Sequence, residues 1–88
     1  MSIINIDKEI EKFEKIFLGQ QATLTVSCTA GALTCSGTVV KDENSDSYFV
    51  GGVLLALYKN ELDNVEVTSR SIAFVYQDGS RATIRPAL

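Results

Sequence analysis

From residue 22 onward, apolar and polar positions alternate. Leu24, Val26, Cys28 and Ala30 fall on every second position, as do Leu33, Cys35, Gly37 and Val39. Thr25, Ser27 and Thr29 fill the gaps in the first run, and Thr34, Ser36 and Thr38 fill those in the second. Side chains alternate across a strand, so each run predicts a strand with one apolar and one hydroxyl face. Gly31-Ala32 between them predicts a two-residue type II′ loop joining strands 22–30 and 33–41. That loop pairs Ala30 with Leu33, Cys28 with Cys35, Val26 with Gly37 and Leu24 with Val39, so both strands agree on which face is wet.

Upstream the period changes. Ile6, Ile10, Phe13 and Phe17 recur at i, i+4, i+7 and i+11, flanked by Ile3 and Ile16, which predicts an amphipathic helix over 5–18. Asp7, Glu9 and Glu11 precede Lys12 and Lys15, the charge order the helix dipole favours. Asn5 suits the start and Gly19 the residue just past the end. The apolar stripe is expected to lie on the sheet that follows.

Downstream, Asp42 to Ser47 reads as a polar turn, Tyr48-Phe49-Val50 as strand, and Gly51-Gly52 as a bulge or sharp bend. Val53 to Leu62 fits two descriptions. Leu54, Tyr58 and Leu62 have helical spacing, whereas the unbroken apolar run to Leu57 suits a buried strand before a polar turn over 59–64. Strand is the expectation, giving a hairpin over 48–68. Asp78-Gly79 predicts a type I′ hairpin over 71–86 that pairs Tyr76 with Arg81, Val75 with Ala82 and Phe74 with Thr83. Phe74 and Tyr76 then share a face with Arg81 and Arg85. The expectation is a mainly β, α+β chain: an N-terminal helix and a five- to six-stranded bent antiparallel sheet or small β-barrel.

The 88 residues suit a single domain, 1–88, whose small core gives marginal stability alone. A formal net charge of −3 argues against nucleic acid, whose phosphates draw on basic groups. No run approaches the ~20 apolar residues of a membrane span. The start lacks a basic, apolar leader, so a cytoplasmic protein is expected. Histidine is absent and no Gly-rich phosphate loop occurs, so neither an enzyme nor a cofactor is expected. Two cysteines are too few to close a zinc site. Directly opposed, Cys28 and Cys35 would lie about 5.5 Å apart at Cα, within disulfide reach, and the alternative is a pair of core thiols. Asp42, Glu43 and Asp46 lack the glycine and closing glutamate of a calcium loop.

Two segments resemble the Sm-like, or SH3-like, small β-barrel family. Leu24-Thr-Val26, Gly31, Gly37-Thr-Val39 and Asp42 resemble its first motif, and the apolar positions of Val67 to Val75 resemble its second. The resemblance implies a barrel that assembles through its edge strands, often into rings. Thr68-Ser69 stands where the family has Arg-Gly, so it implies architecture more than RNA binding. Open edges and a small core independently favour a partner. The expected function is a non-enzymatic protein–protein assembly module, a homo-oligomeric structural component. It would dock through a strand edge and the face carrying Phe74, Tyr76, Arg81 and Arg85, where aromatics and arginine mix as at interface hot spots. A small phage-type inhibitor or adaptor of one host protein, an anti-defence candidate, is the alternative, and an Sm-like RNA binder the third.

Overall fold

A computed structural model describes residues 6–58 and 60–87. The expectations placed on Ile3, Asn5 and Lys59 lie outside these. Helix α1 (Ile6–Phe17) is followed by seven strands: β1 (Gln21–Cys28), β2 (Gly31–Lys41), β3 (Ser47–Val50), β4 (Val53–Ala56), β5 (Leu62–Val67), β6 (Ile72–Tyr76) and β7 (Arg81–Pro86). The ambiguous stretch Val53 to Leu62 is not helical. It supplies β4 and the first residue of β5, which raises the strand count from the expected five or six to seven.

The strands form one antiparallel sheet in the order β4-β3-β2-β1-β7-β6-β5. The expected hairpin over 48–68 is therefore split: β3 and β4 pair with each other, whereas β5 pairs with β6 at the far end. Only residues 57–61 join the two end strands. Flat, seven strands would put those ends about 29 Å apart, yet the chain from Ala56 to Leu62 reaches about 21 Å at full stretch. The sheet must curl, and it does, into a half-barrel. The Tyr76 hydroxyl on β6 donates to the Ala56 carbonyl on β4 at 2.6 Å, across the gap between the ends.

Curling needs a strand that bends. Residues 31–38 of β2 pair with β1, and residues 39–41 pair with β3. Gly37 lies just before the switch, opposite Ala22, and the β3–β4 turn crosses it so closely that a Cβ there would sit 2.6 Å from the Gly51 Cα. Gly51 and Gly52, at φ +57° and +83°, make the two-residue type I′ turn that brings the crossing about. The glycine pair is thus a sharp turn rather than a bulge.

Helix α1 closes the half-barrel as its apolar stripe predicts. Phe13 is fully buried, edge-on to Tyr48 of β3 (centroids 4.9 Å apart) and to Phe74 of β6 (5.6 Å). One aromatic side chain therefore touches strands toward both ends of the sheet. Ala22, Leu24, Val39, Val50, Leu55, Ile72, Ala82 and Ile84 share this interior.

Both hairpin registers differ from expectation. The first turns at Thr29-Ala30, so that Cys28 faces Gly31, Val26 faces Leu33 and Leu24 faces Cys35. Among the described residues no non-glycine has positive φ, so this turn takes ordinary residues and Gly31 lies just beyond it. The displacement is even, so both faces keep their predicted character. The hydroxyl face forms a ladder: Thr23 with Ser36 at 3.1 Å, Thr25 with Thr34 at 3.2 Å, and Gln21 Nε2 donating to Thr38 Oγ1 at 2.6 Å. The second hairpin slips by one. Asp78 Oδ1 accepts from the Ser80 N–H (2.8 Å) and hydroxyl (2.6 Å), while Gly79 at φ +91° closes a three-residue loop. Val75 then faces Arg81 and Phe74 faces Ala82. A one-residue slip exchanges faces, which sends Phe74 inward and leaves Arg81 outside.

Candidate interaction surface at the free sheet edge

That slip disperses the four residues expected to form a docking face. Phe74 is 0% exposed and packs on Phe13. Tyr76 is half-buried and gives its hydroxyl to Ala56. Arg81 is paired with Glu66 at 2.5 Å on the outer face. Arg85 is exposed on that same outer face, opposite Thr23. The cysteines are also separated, and both are free thiols. Cys28 is exposed at the hairpin end, whereas Cys35 is four residues further along β2, about 13 Å away and beyond disulfide reach. The Cys35 thiol instead donates to the Val50 carbonyl at 3.2 Å.

A different surface assembles at the β4 end. Val40 pairs with Phe49, and Phe49 with Leu54. Their neighbours Val39, Val50 and Leu55 point into the core, so alternation turns these three outward. They are 53%, 39% and 53% exposed, one on each of three adjacent strands. Leu33 and Val67 are exposed too, but their cross-strand partners Val26 and Ile72 are better buried. Among the described residues, only the Val40–Phe49–Leu54 row joins three exposed large apolar side chains in register.

The row ends on an edge without protection. In a two-residue hairpin the closing pair, here Val50 and Val53, is hydrogen-bonded, and pairs alternate from there. The backbone N–H and C=O of Leu54 therefore point away from β3, as do those of Ala56, whose carbonyl takes the Tyr76 hydroxyl. Val53-Leu54-Leu55-Ala56 carries no charge, no proline and no bulge. The opposite edge carries two of the usual defences, charge and a bulge. On β5 the register shifts between Leu62 and Asn64, Asp63 and Glu66 add charge, and Asn64 Oδ1 accepts the Val65 N–H at 2.9 Å.

A polar clamp holds α1 to the strands that bear the row. The Tyr48 hydroxyl donates to Glu14 Oε2 at 2.5 Å, and Lys41 Nζ lies 3.1 Å from the same oxygen. The Tyr48 hydrogen bond is the largest influence on Glu14 and, with Lys41 helping and burial opposing, holds its carboxyl below the ordinary value of 4.5. Burial, reinforced by Glu14, pushes the Tyr48 phenol upward.

The row was missed in sequence because the alternation was traced only as far as Val39, Tyr48-Phe49-Val50 was given no faces, and Val53 to Leu57 is an unbroken apolar run with nothing to rank its faces. The available signal was the failure to alternate: an unbroken apolar strand is either buried on both faces or exposes one of them. Among the described residues, no three His, Cys, Asp or Glu side chains converge to hold a metal, and no helix is long and apolar enough to cross a membrane. No family model, no curated protein and no solved structure matches this chain, so its fold and the geometry of this edge are what bear on its function.

Proposed function

We propose that the chain is a non-enzymatic assembly module that self-associates by joining β4 of one copy to β4 of another. The observation that carries this is the coincidence of the Val40–Phe49–Leu54 row with the one undefended sheet edge. Edge pairing would supply hydrogen bonds for Leu54, and the row would bury apolar surface beside them. The curled antiparallel sheet with its helix is compatible with a small β-barrel. In an Sm-like ring, unlike edges pair head to tail; here the defended β5 edge favours pairing of like edges, hence a closed twofold dimer.

Sedimentation velocity of the purified chain over a concentration series tests this. A reversible monomer–dimer equilibrium is the expected result. A protein that stays monomeric at the highest soluble concentration would refute self-association and leave the edge to a different protein, the inhibitor or adaptor reading.

A further inference from the structure

A concavity lies elsewhere, on the hydroxyl face, with β1, β2 and β3 separating β7 from β4 in the sheet order. It is a groove of about 830 Å³ between β1, β7 and the 68–71 turn, lined by Thr23, Thr83, Ser69, Ser71, Arg70 and Arg85, with Pro86 at one end. Register explains the convergence. Arg85 stands opposite Thr23, and Thr83 opposite Thr25.

The turn that overhangs the groove is held firmly. Thr68 Oγ1 accepts the N–H groups of Arg70 (3.3 Å) and Ser71 (3.0 Å), and its hydroxyl lies 2.8 Å from that of Ser71. The Thr68 N–H donates to the Ser71 carbonyl at 2.9 Å. Arg70 therefore starts from a fixed backbone.

The groove's charge is unlike that of the whole molecule. The chain has eleven Asp and Glu against eight Lys and Arg, yet among the described residues no Asp or Glu lines this groove. Glu66, on the same outer face, is committed to Arg81. Lys12 and Lys41 are likewise matched to glutamates, but the guanidinium groups of Arg70 and Arg85 have no ion-pair partner among the described residues. Two guanidiniums and four hydroxyls line one concavity; the guanidiniums only donate and the hydroxyls can donate, those of Thr23 and Ser71 while also engaging Ser36 and Thr68. Guanidinium forks match phosphate oxygens two at a time, and two of them balance a dianion better than a carboxylate's single charge.

We propose that this groove binds the phosphate group of a small phosphate ester, with Arg70 and Arg85 gripping the phosphate and the Ser and Thr hydroxyls completing its hydrogen bonds. The volume is that of sites taking small organic ligands and exceeds what phosphate alone needs. The ester's organic part would lie along Pro86 and the threonine methyl groups.

The test is a titration of the isotope-labelled full chain with inorganic phosphate and, separately, adenosine monophosphate, followed by amide NMR at constant ionic strength. Saturable shifts centred on 69–71, Thr83 and Arg85 are expected with both. Arg70→Ala and Arg85→Ala should each weaken binding about tenfold, Arg81→Ala should not, and all three should keep the wild-type melting temperature without ligand. Tighter binding of the nucleotide would show that the groove takes the esterified form, equal binding that free phosphate suffices. Either supports a phosphate site. Absence of saturable shifts, shifts that persist in the Arg70→Ala/Arg85→Ala double variant, or binding only to RNA oligonucleotides would overturn the proposal. Since the groove and the β4 edge are separated, each result stands whatever the oligomeric state.

Discussion

Replacing Phe49 by Glu tests the assembly reading most directly. Fully burying a Val, Leu or Phe side chain contributes about 1.5–3 kcal/mol. The row is already about half covered in the single chain; across a β4–β4 seam Leu54 meets its image and Phe49 packs behind it, so an interface would gain about 1 kcal/mol from each, or about 2 kcal/mol per copy. Association itself costs at least about 4 kcal/mol, so the dimer is expected to depend on concentration. Phe49→Glu removes the central side chain and puts a carboxylate beside the apolar seam, one strand back from it. Lost burial and desolvation of the unpaired charge come to about 2 kcal/mol per copy. Across a twofold axis this is about 4 kcal/mol, roughly a thousandfold in Kd. Sedimentation velocity reads the Kd, and a melt at low concentration checks the monomer, whose stability should change little because Phe49 faces outward. Leu33→Ser, which removes an equally exposed leucine from the other hairpin, should leave association unchanged. A Phe49→Glu protein that dimerises within threefold of wild type would show that the row is not the interface.

Three further outcomes are expected. Tyr76→Phe removes the hydrogen bond between the sheet ends and should cost about 1–2 kcal/mol, lowering the melting temperature by about 4–8 °C per kcal/mol. Burial pushes the Tyr76 phenol up to about 12, so its contribution is complete below the unfolded value of about 10 and is lost as pH rises through 12. The gap between wild type and variant should close over that range, and a constant gap would argue against the assignment. Gly37→Ala drives a Cβ into the Gly51 backbone and should cost about 1–3 kcal/mol or more by urea unfolding; a variant as stable as wild type would mean β2 does not depend on this crossing. Glu14, whose folded value is depressed, contributes stability above its unfolded value and loses it as pH falls through the folded one. Glu14→Gln should therefore be less stable than wild type near neutrality and converge with it in acid, and parallel acid-unfolding curves would refute the clamp.

The helix and the paired faces of the first hairpin were legible in sequence because each rests on a period, and a period survives an even error in register. The second hairpin was not. Asp78-Gly79 suits either a two-residue or a three-residue loop, and the Asp78–Ser80 hydrogen bonds select the longer one. That single residue decides whether Phe74 faces Phe13 or solvent, so the expected docking face could not survive it. The Val40–Phe49–Leu54 row depends on long-range order in the sheet: β4 is an edge only because β5 joins the opposite end. The phosphate groove arises likewise from β1 lying beside β7, a neighbour that no local pattern announces.

That β1–β7 seam has a consequence for how the chain is made. Strands β1 to β4 form one continuous meander and β5 to β7 another, so every strand pairing except the seam is between successive strands. As the polypeptide leaves the ribosome, the first meander can pair while β1 still lacks its outer neighbour. About thirty more residues must be added before β7 can arrive, a wait of about 2–6 s at ordinary elongation rates. During that interval the nascent sheet has two open sides, β1 and β4. Crowded ribosomes translating one message would then be the setting in which β5–β7 of one chain settles on β1 of its neighbour, giving an entangled pair.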